Sequence, residues 1–348
     1  MLHSLTQLSS LLSDLPKGQL FVLTDSHTKV HCLPLFAESI GNFSYHLLTL
    51  EAGEVTKNLT SVQLVWDFLL KHHATREAIL VNLGGGMITD LGGFAAATYM
   101  RGIRFVNIPT TLLAMVDASS GGKTGFDYKG VKNAIGTFTP PLATLIHLDF
   151  LRTLPAEELL SGFAEMLKHA LIASKREWVN LLQLLQEELP HEQLVEALGS
   201  TGVLQASIAI KEKVVAQDPH ETGLRKILNF GHTVGHAIES AALERNALPH
   251  GYCVLWGMVA EVYLSVVKFG CPREVLQQLT QLMLQYYGRP QCNCKQREQL
   301  IQRMYRDKKN SANRTPNFTL LRAVGEPEIN QYVSEKDIDE ALEYLFSL

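Results

Sequence analysis

The chain has 348 residues, 46% of them hydrophobic and 19% charged, the balance of a globular protein long enough for two cores rather than a disordered or fibrous one. Its formal net charge is −4 and its pI about 6.4, which gives no electrostatic case for nucleic acid or an anionic membrane. An anion bound here must be held by local lysines and arginines.

Met1–Leu15 carries no basic run and no cleavage site, so it does not read as a signal peptide. No stretch approaches the roughly 20 apolar residues of a membrane span. Five cysteines without dense spacing imply a reducing, cytoplasmic setting. Cys292 and Cys294 stand too close and too alone for a structural zinc site and read as free thiols. Residues 19–24 read as a buried strand ending at Asp25, and 45–50 as a second that leads to Glu54 and Lys57. Apolar residues at helical spacing (Val62, Val65, Trp66, Leu69, Leu70) predict a helix over 58–73. Residues 78–83 form a strand running into Gly84-Gly85-Gly86, and a helix over 87–100 comes next, with Asp90 early and Gly92-Gly93 permitting close packing. Strands over 104–108, closed by Pro109-Thr110-Thr111, and over 145–148 complete the grammar of a parallel α/β sheet.

Pro155 suits a first helical turn, with Glu157 and Glu158 behind it. Nearly everything beyond reads as helix: 156–174, 177–189, 191–217, 224–244, 251–269, 272–286 and 336–347. The expected division is an α/β domain over 1–152 and an all-α domain over 153–348.

Gly84-Gly85-Gly86 could present backbone N–H groups to a pyrophosphate. It lacks the G-x-G-x-x-G spacing and serves equally as a tight turn. Gly121-Gly122-Lys123 lacks the first glycine of a P-loop, yet it suits a lysine approaching a polar ligand. Lys132-Asn133 come later in a loop with Gly130 and Gly136; each lysine could be a solvated surface charge, but two framed by glycines inside an otherwise apolar region weigh toward a ligand. Glu165 and Lys168 lie opposite the stripe of Phe163, Met166, Leu167, Ala170 and Leu171. They are either an exposed ion pair, worth a few tenths of a kcal/mol, or a carboxylate completing a two-histidine zinc site and its neighbour. His232 and His236, four apart in Asn229-Phe-Gly-His-Thr-Val-Gly-His236, share one helical face. They could offer imidazoles to one ion or be two hydrogen-bonded core histidines. Gly231 and Gly235 let a ligand or another backbone come close.

Taken in order, these segments form a pattern: Gly84 to Asp90, Thr98-Tyr-Met-Arg101-Gly, Pro109 to Asp117, Gly121-Gly-Lys123-Thr, and Lys132-Asn133. Phe163-Ala-Glu165-Met-Leu-Lys168, Gly223-Leu-Arg225, Asn229 to His236, His250-Gly251 and Asp307-Lys-Lys continue it. The series resembles the 3-dehydroquinate synthase family from about residue 25 to 309. That resemblance implies a Rossmann-like, NAD⁺-binding N-terminal domain and a helical C-terminal domain carrying metal and substrate groups. It implies Glu165, His232 and His250 as ligands of Zn²⁺ (or Co²⁺), with His236 in the substrate pocket. Cofactor contacts carried over are Asp25, Glu54, Lys57, Gly85, Gly86, Asp90, Thr110 and Thr111. Asp117, Lys132, Phe150, Thr153, Leu154 and Glu158 complete that set. Substrate contacts are Lys123, Asn133, Lys168, Lys211, Arg225, Asn229, His236 and one of Lys308 and Lys309. Arg101 resembles a family arginine that reaches the phosphate across a homodimer interface.

The implied reaction turns 3-deoxy-D-arabino-heptulosonate 7-phosphate into 3-dehydroquinate and phosphate. It runs by NAD-mediated oxidation, phosphate elimination, reduction, ring opening and intramolecular aldol closure. Two departures stand out. Lys132 lacks the proline and glycine that commonly precede it in the family, and Tyr252 replaces a common glutamate. The change before Lys132 keeps sister sugar-phosphate cyclases in view, of the 2-deoxy-scyllo-inosose or valiolone synthase type. Lys168, Arg225 and His236 suit a carboxylate-bearing substrate and favour the dehydroquinate reaction. The clustered lysines disfavour a metal-dependent glycerol-type dehydrogenase, and the intact Glu165/His232/His250 set disfavours a non-catalytic relative.

Overall fold

A computed structural model of the chain describes residues 3–129, 131–242, 248–291, 294–305 and 315–348. They divide into two compact units, Met1–Pro155 with Pro190–Ser200, and Ala156–Leu189 with Thr201–Leu348.

In the first unit, β1 (His3–Ser4), β2 (Leu20–Asp25), β3 (His46–Leu50), β4 (Ile79–Gly84) and β5 (Arg104–Pro109) precede a hairpin of β6 (Lys123–Tyr128) and β7 (Val131–Phe138). Strand β8 (Ala143–Ile146) comes after it. Six of these make one sheet in the order β1-β8-β5-β4-β2-β3, paired parallel throughout. Strands β2 and β4 are buried along their whole length, because a parallel sheet is covered on both faces; hence their mostly apolar sequences, without alternation. The chain steps from β2 outward to β3, then returns to β4 on the other side of β2. The carboxyl ends of β2 and β4 therefore flank a topological switch point, where open α/β sheets form a crevice.

The glycines after β4 serve packing. A Cβ on Gly92 would stand 2.0 Å from Asn82 Oδ1, and one on Gly93 2.6 Å from Thr124 Cγ2. Asn82 donates to Asn107 Oδ1 at 2.9 Å, and Asn107 donates to the Ser119 carbonyl at 3.2 Å, a polar ladder inside the sheet. The stretch around Lys123 and Lys132, expected as loops, is the β6–β7 hairpin. Gly125 faces Gly136 in its register, and a Cβ on Gly136 would stand 2.2 Å from the Thr124 carbonyl oxygen. Phe126 anchors the hairpin by packing edge-on to Phe94 at 5.1 Å. The helix His191–Ser200 belongs to this unit, with His191 Nε2 2.8 Å from the Leu151 carbonyl oxygen.

The second unit is mostly helical, but an antiparallel pair, β9 (Phe318–Leu321) and β10 (Pro327–Gln331), stands where only helix was expected. Strand β9 is buried throughout, so it shows no alternation to read from sequence. Two expected helices are broken at glycines in the left-handed region. Gly202 (φ +78°) separates His191–Ser200 from Val203–Gln217, and Gly231 (φ +80°) precedes His232–Ala242. Leu224–Asn229 is 3₁₀-helical instead. The helix His250–Phe269 has mean hydropathy 1.4 over its most apolar window. By length and composition it meets the test for a membrane span, against the reading that no stretch approaches one. With 67% of that window buried and a buried glutamate at Glu261, it is the core helix of this unit.

Candidate active site

Three elements of the second unit bring Glu165, His232 and His250 together. Glu165 lies mid-way along the helix Ala156–Ala173 and is fully buried. Its Oε1 is 3.6 Å from His232 Nε2 and 3.5 Å from His250 Nε2. One ligand atom from each residue falls within a 4.8 Å group.

The orientation of the two rings depends on the partners of their other nitrogens. His232 Nδ1 is 3.0 Å from the Phe230 carbonyl oxygen. A carbonyl only accepts, so Nδ1 carries a proton and Nε2 is the nitrogen turned toward Glu165. His250 Nδ1 is 3.2 Å from Glu239 Oε1. Burial by itself would push the His250 imidazolium down, but the Glu239 carboxylate, with Glu165 after it, holds its pKa up at about 10.

The helix His232–Ala242 is fixed by a residue that sequence reasoning passed over. Glu261, fully buried on the His250 helix, accepts from Gly231 N at 2.6 Å, Thr233 N at 3.1 Å and Val234 N at 3.3 Å. A carboxylate thus satisfies three N–H groups at the positive end of the helix. The two helices touch backbone to backbone: a Cβ on Gly257 would stand 2.0 Å from the Gly231 carbonyl oxygen, and one on Gly235 2.9 Å from that of Cys253. Of the two uses open to Gly231 and Gly235, the structure realises close backbone approach.

The pair Glu165/Lys168, read from sequence as either an exposed ion pair or a ligand and its neighbour, is buried. Lys168 Nζ contacts Glu165 Oε2 with both side chains excluded from solvent. Lys211 and Arg225 are also buried, 5% and 3% exposed, on elements packed against the Glu165 helix. Arg225 sits in a turn tied by Asp218, which accepts from Gly223 N at 2.8 Å and Arg225 N at 3.0 Å. Those backbone donors hold the Asp218 carboxyl well below the usual range. Asn229 donates to Glu221 Oε1 at 2.5 Å. The His236 ring centroid is 5.1 Å from that of His232 and 6.1 Å from that of His250. His236, Glu239 and His250 also form a group within 4.8 Å. Glu239 and Glu261 had signals of unequal strength. Glu239 is seven residues past His232 and so on its face, whereas nothing local marks Glu261.

In the first unit, most residues assigned to the cofactor lie just past the carboxyl ends of strands. Asp25 ends β2 and caps the next helix, accepting from His27 N at 2.9 Å and Thr28 N at 2.8 Å. Gly85 and Gly86 follow β4 at the start of the helix Gly86–Thr98. Thr110 follows β5, and Thr111 Oγ1 accepts from Ala114 N at 3.1 Å. Asp117 lies in the π-helical turn Ala114–Ala118. Lys57 Nζ meets Asp90 Oδ2 at 2.6 Å and Glu54 Oε1 at 3.7 Å, and Lys132 Nζ lies 3.9 Å from Glu54 Oε1. Asn133 N donates to Asp127 at 2.7 Å beside them. Phe150 is buried against His147, and Thr153 and Leu154 close the same 3₁₀ segment. Glu158 lies in the first turns of the Glu165 helix. Lys123 is exposed at the start of β6. Arg101 is exposed after the helix Gly86–Thr98, in a left-handed pair with Met100 (φ +69° and +48°). Lys308 and Lys309 lie outside the described residues.

Known proteins are similar to this sequence. The family described as 3-dehydroquinate synthase N-terminal matches residues 47–161, and its C-terminal counterpart matches 162–310. The 3-dehydroquinate synthase of Parabacteroides distasonis is 43% identical over 340 residues, 97% of this chain and 94% of that protein. The chain belongs to the 3-dehydroquinate synthase family. The synthase of Staphylococcus aureus strain MRSA252 is 34% identical over 94% of this chain and 90% of its own length. Among solved structures, a 2-epi-5-epi-valiolone synthase from Streptomyces hygroscopicus subsp. jinggangensis 5008, with NAD⁺ and Zn²⁺ bound, superposes at a TM-score of 0.85. It is 26% identical, over 97% of this chain and 93% of that one. The α/β unit with a parallel sheet and the mostly helical unit are thus the architecture of dehydroquinate synthase-like cyclases.

Proposed function

We propose that this chain is a cytoplasmic, homodimeric 3-dehydroquinate synthase that uses NAD⁺ and a divalent ion, Zn²⁺ or Co²⁺. The observation that carries this reading is the company kept by Glu165/His232/His250. One carboxylate and two imidazoles are a donor set suited to catalytic zinc, with a position left for substrate. Three buried cations, Lys168, Lys211 and Arg225, sit on the elements around it. Lysine and arginine side chains are the usual holders of carboxylate and phosphate groups, so this set suits an anionic sugar phosphate acid better than a neutral alcohol.

With both groups bound, the site gains a Lewis acid for a substrate hydroxyl and a reversible hydride acceptor. The chain's own residues do the rest. Lys168, Lys211, Arg225 and Asn229 hold the substrate carboxylate and hydroxyls. His236, half-buried beside His232, moves protons at the ring positions that lose and regain them. Lys123, Asn133, one of Lys308 and Lys309, and Arg101 of the second subunit receive the phosphate as it leaves. Asp25, Glu54, Lys57, Gly85, Gly86, Asp90, Thr110, Thr111, Asp117, Lys132, Phe150, Thr153, Leu154 and Glu158 bind the dinucleotide. The test is a product assay on the heptulosonate phosphate. Phosphate and 3-dehydroquinate should appear one for one with no accumulation of reduced nicotinamide. Reduced nicotinamide rising in step with turnover identifies a dehydrogenase instead, and turnover of a heptose or hexose phosphate in place of this substrate identifies a sister cyclase.

Metal uptake should also depend on pH. With its pKa held at about 10, His250 carries a proton in the metal-free chain at neutral pH. Binding an ion must expel that proton, so zinc affinity should rise about tenfold per pH unit below the His250 pKa. Competition with a chromophoric chelator at several pH values measures the slope; a flat profile would show that binding displaces no proton from His250, against its raised pKa.

A further inference from the structure

We infer that Glu239 is a positioning residue for His250, holding its imidazole by Nδ1 so that Nε2 faces Glu165 and His232. The inference rests on the metal reading above and adds to it a residue outside the proposed ligand set.

The two histidines reach the same Glu165 oxygen by different means. His232 is held by the Phe230 carbonyl, two residues before it on its own chain segment. No side-chain substitution removes that acceptor. His250 is the first residue of its helix, its side chain 28% exposed, so neighbouring turns do little to choose its rotamer. Its Nδ1 meets the Glu239 carboxylate at 3.2 Å, itself only 4% exposed and carried by the His232 helix. That helix is in turn pinned to the His250 helix by Glu261 through Gly231, Thr233 and Val234. One helix therefore supplies the first imidazole and aims the second. An ionised carboxylate accepts and does not donate, so Nδ1 of His250 is the protonated nitrogen and Nε2 is the one presented to an ion. Partners of this kind orient metal-bound imidazoles and raise their basicity.

The test uses the full-length protein stripped of metal and titrated with zinc chloride against a chromophoric chelator. Wild type is compared with Glu239→Ala and Glu239→Gln, and thermal melts of the metal-free proteins serve as folding controls. Glu239→Ala should raise the zinc dissociation constant by about 10- to 100-fold. Glu239→Gln keeps an oxygen that can accept from Nδ1, so it should recover affinity to within about fivefold of wild type. Three results overturn the inference: Glu239→Ala binding zinc as tightly as wild type, Glu239→Gln binding as weakly as Glu239→Ala, or a second zinc equivalent on wild type that Glu239→Gln abolishes. The last would make Glu239 a ligand in its own right, with His236 and His250. Failure of wild type itself to bind one equivalent of zinc would instead bring down the metal reading, and this inference with it.

Discussion

Replacing His232 by alanine is expected to abolish zinc binding and cyclase activity together while leaving the chain folded. In the proposed site the side chain would contribute one of three donor atoms, and its Nε2 is 3.6 Å from Glu165 Oε1. Its loss leaves a carboxylate and one imidazole, too few to hold a catalytic ion at physiological concentrations. Losing Lewis-acid stabilisation of several kcal/mol corresponds to a fall on the order of a thousandfold or more in kcat/KM. The fold should survive, because alanine is a good helix former and the end of the helix is held at Gly231, Thr233 and Val234 rather than at position 232. His236→Ala offers the contrast: zinc retained, turnover lost. Full activity of the metal-free wild type, or stoichiometric zinc on His232→Ala, would sink the assignment.

The largest effect on stability is expected from Glu261→Ala. The carboxylate is fully buried and receives three backbone N–H groups. Its removal leaves those donors inside the protein without an acceptor, at about 1–3 kcal/mol for each group not rescued by water. A total of about 3–5 kcal/mol is reasonable for a buried charged network, a large part of a typical stability of about 5–15 kcal/mol. At about 2–4 °C per kcal/mol for a unit of this size, the midpoint should drop on the order of 10 °C. Glu261→Gln, retaining one acceptor oxygen, should lose less. A melting curve for Glu261→Ala that overlays wild type would show that these bonds contribute little. Gly257→Ala tests the same joint by another route, since its Cβ would stand 2.0 Å from the Gly231 carbonyl oxygen and backbone cannot step aside as a side chain can.

Much of the first unit could be read directly. Central parallel strands are buried on both faces, so β2, β4 and β5 appear as mostly apolar runs without alternation, and the glycine turn after β4 marks where a helix begins. The hairpin β6–β7 could not be read this way. Its strands carry Lys123, Lys132 and Asn133 with glycines between, and β7 is largely exposed, so no apolar alternation announces it. Helix boundaries beyond residue 190 were misjudged where Gly202 and Gly231 take left-handed backbone conformations inside otherwise helical patterns.

By itself the sequence determined the class of sheet, the helical character of the second half of the chain, and, through ten short motifs in order, the family. It also determined that His232 and His236 share a helical face, because a period of 3.6 residues is a local property. Which side chains meet was decided only by tertiary structure. Glu165, His232 and His250 come from three separate helices, and their approach to within 4.8 Å depends on how those helices pack. The joint of the His232 and His250 helices is set by backbone contact at Gly231, Gly235 and Gly257 and by the Glu261 bonds, and Gly251 against Ser161 brings the Glu165 helix to them. Periodicity specifies a face; it carries no information about the distance to a residue on another helix. The pairing of Glu165 with His232 and His250, and the hold of Glu239 on His250, exist only once the helices are in contact.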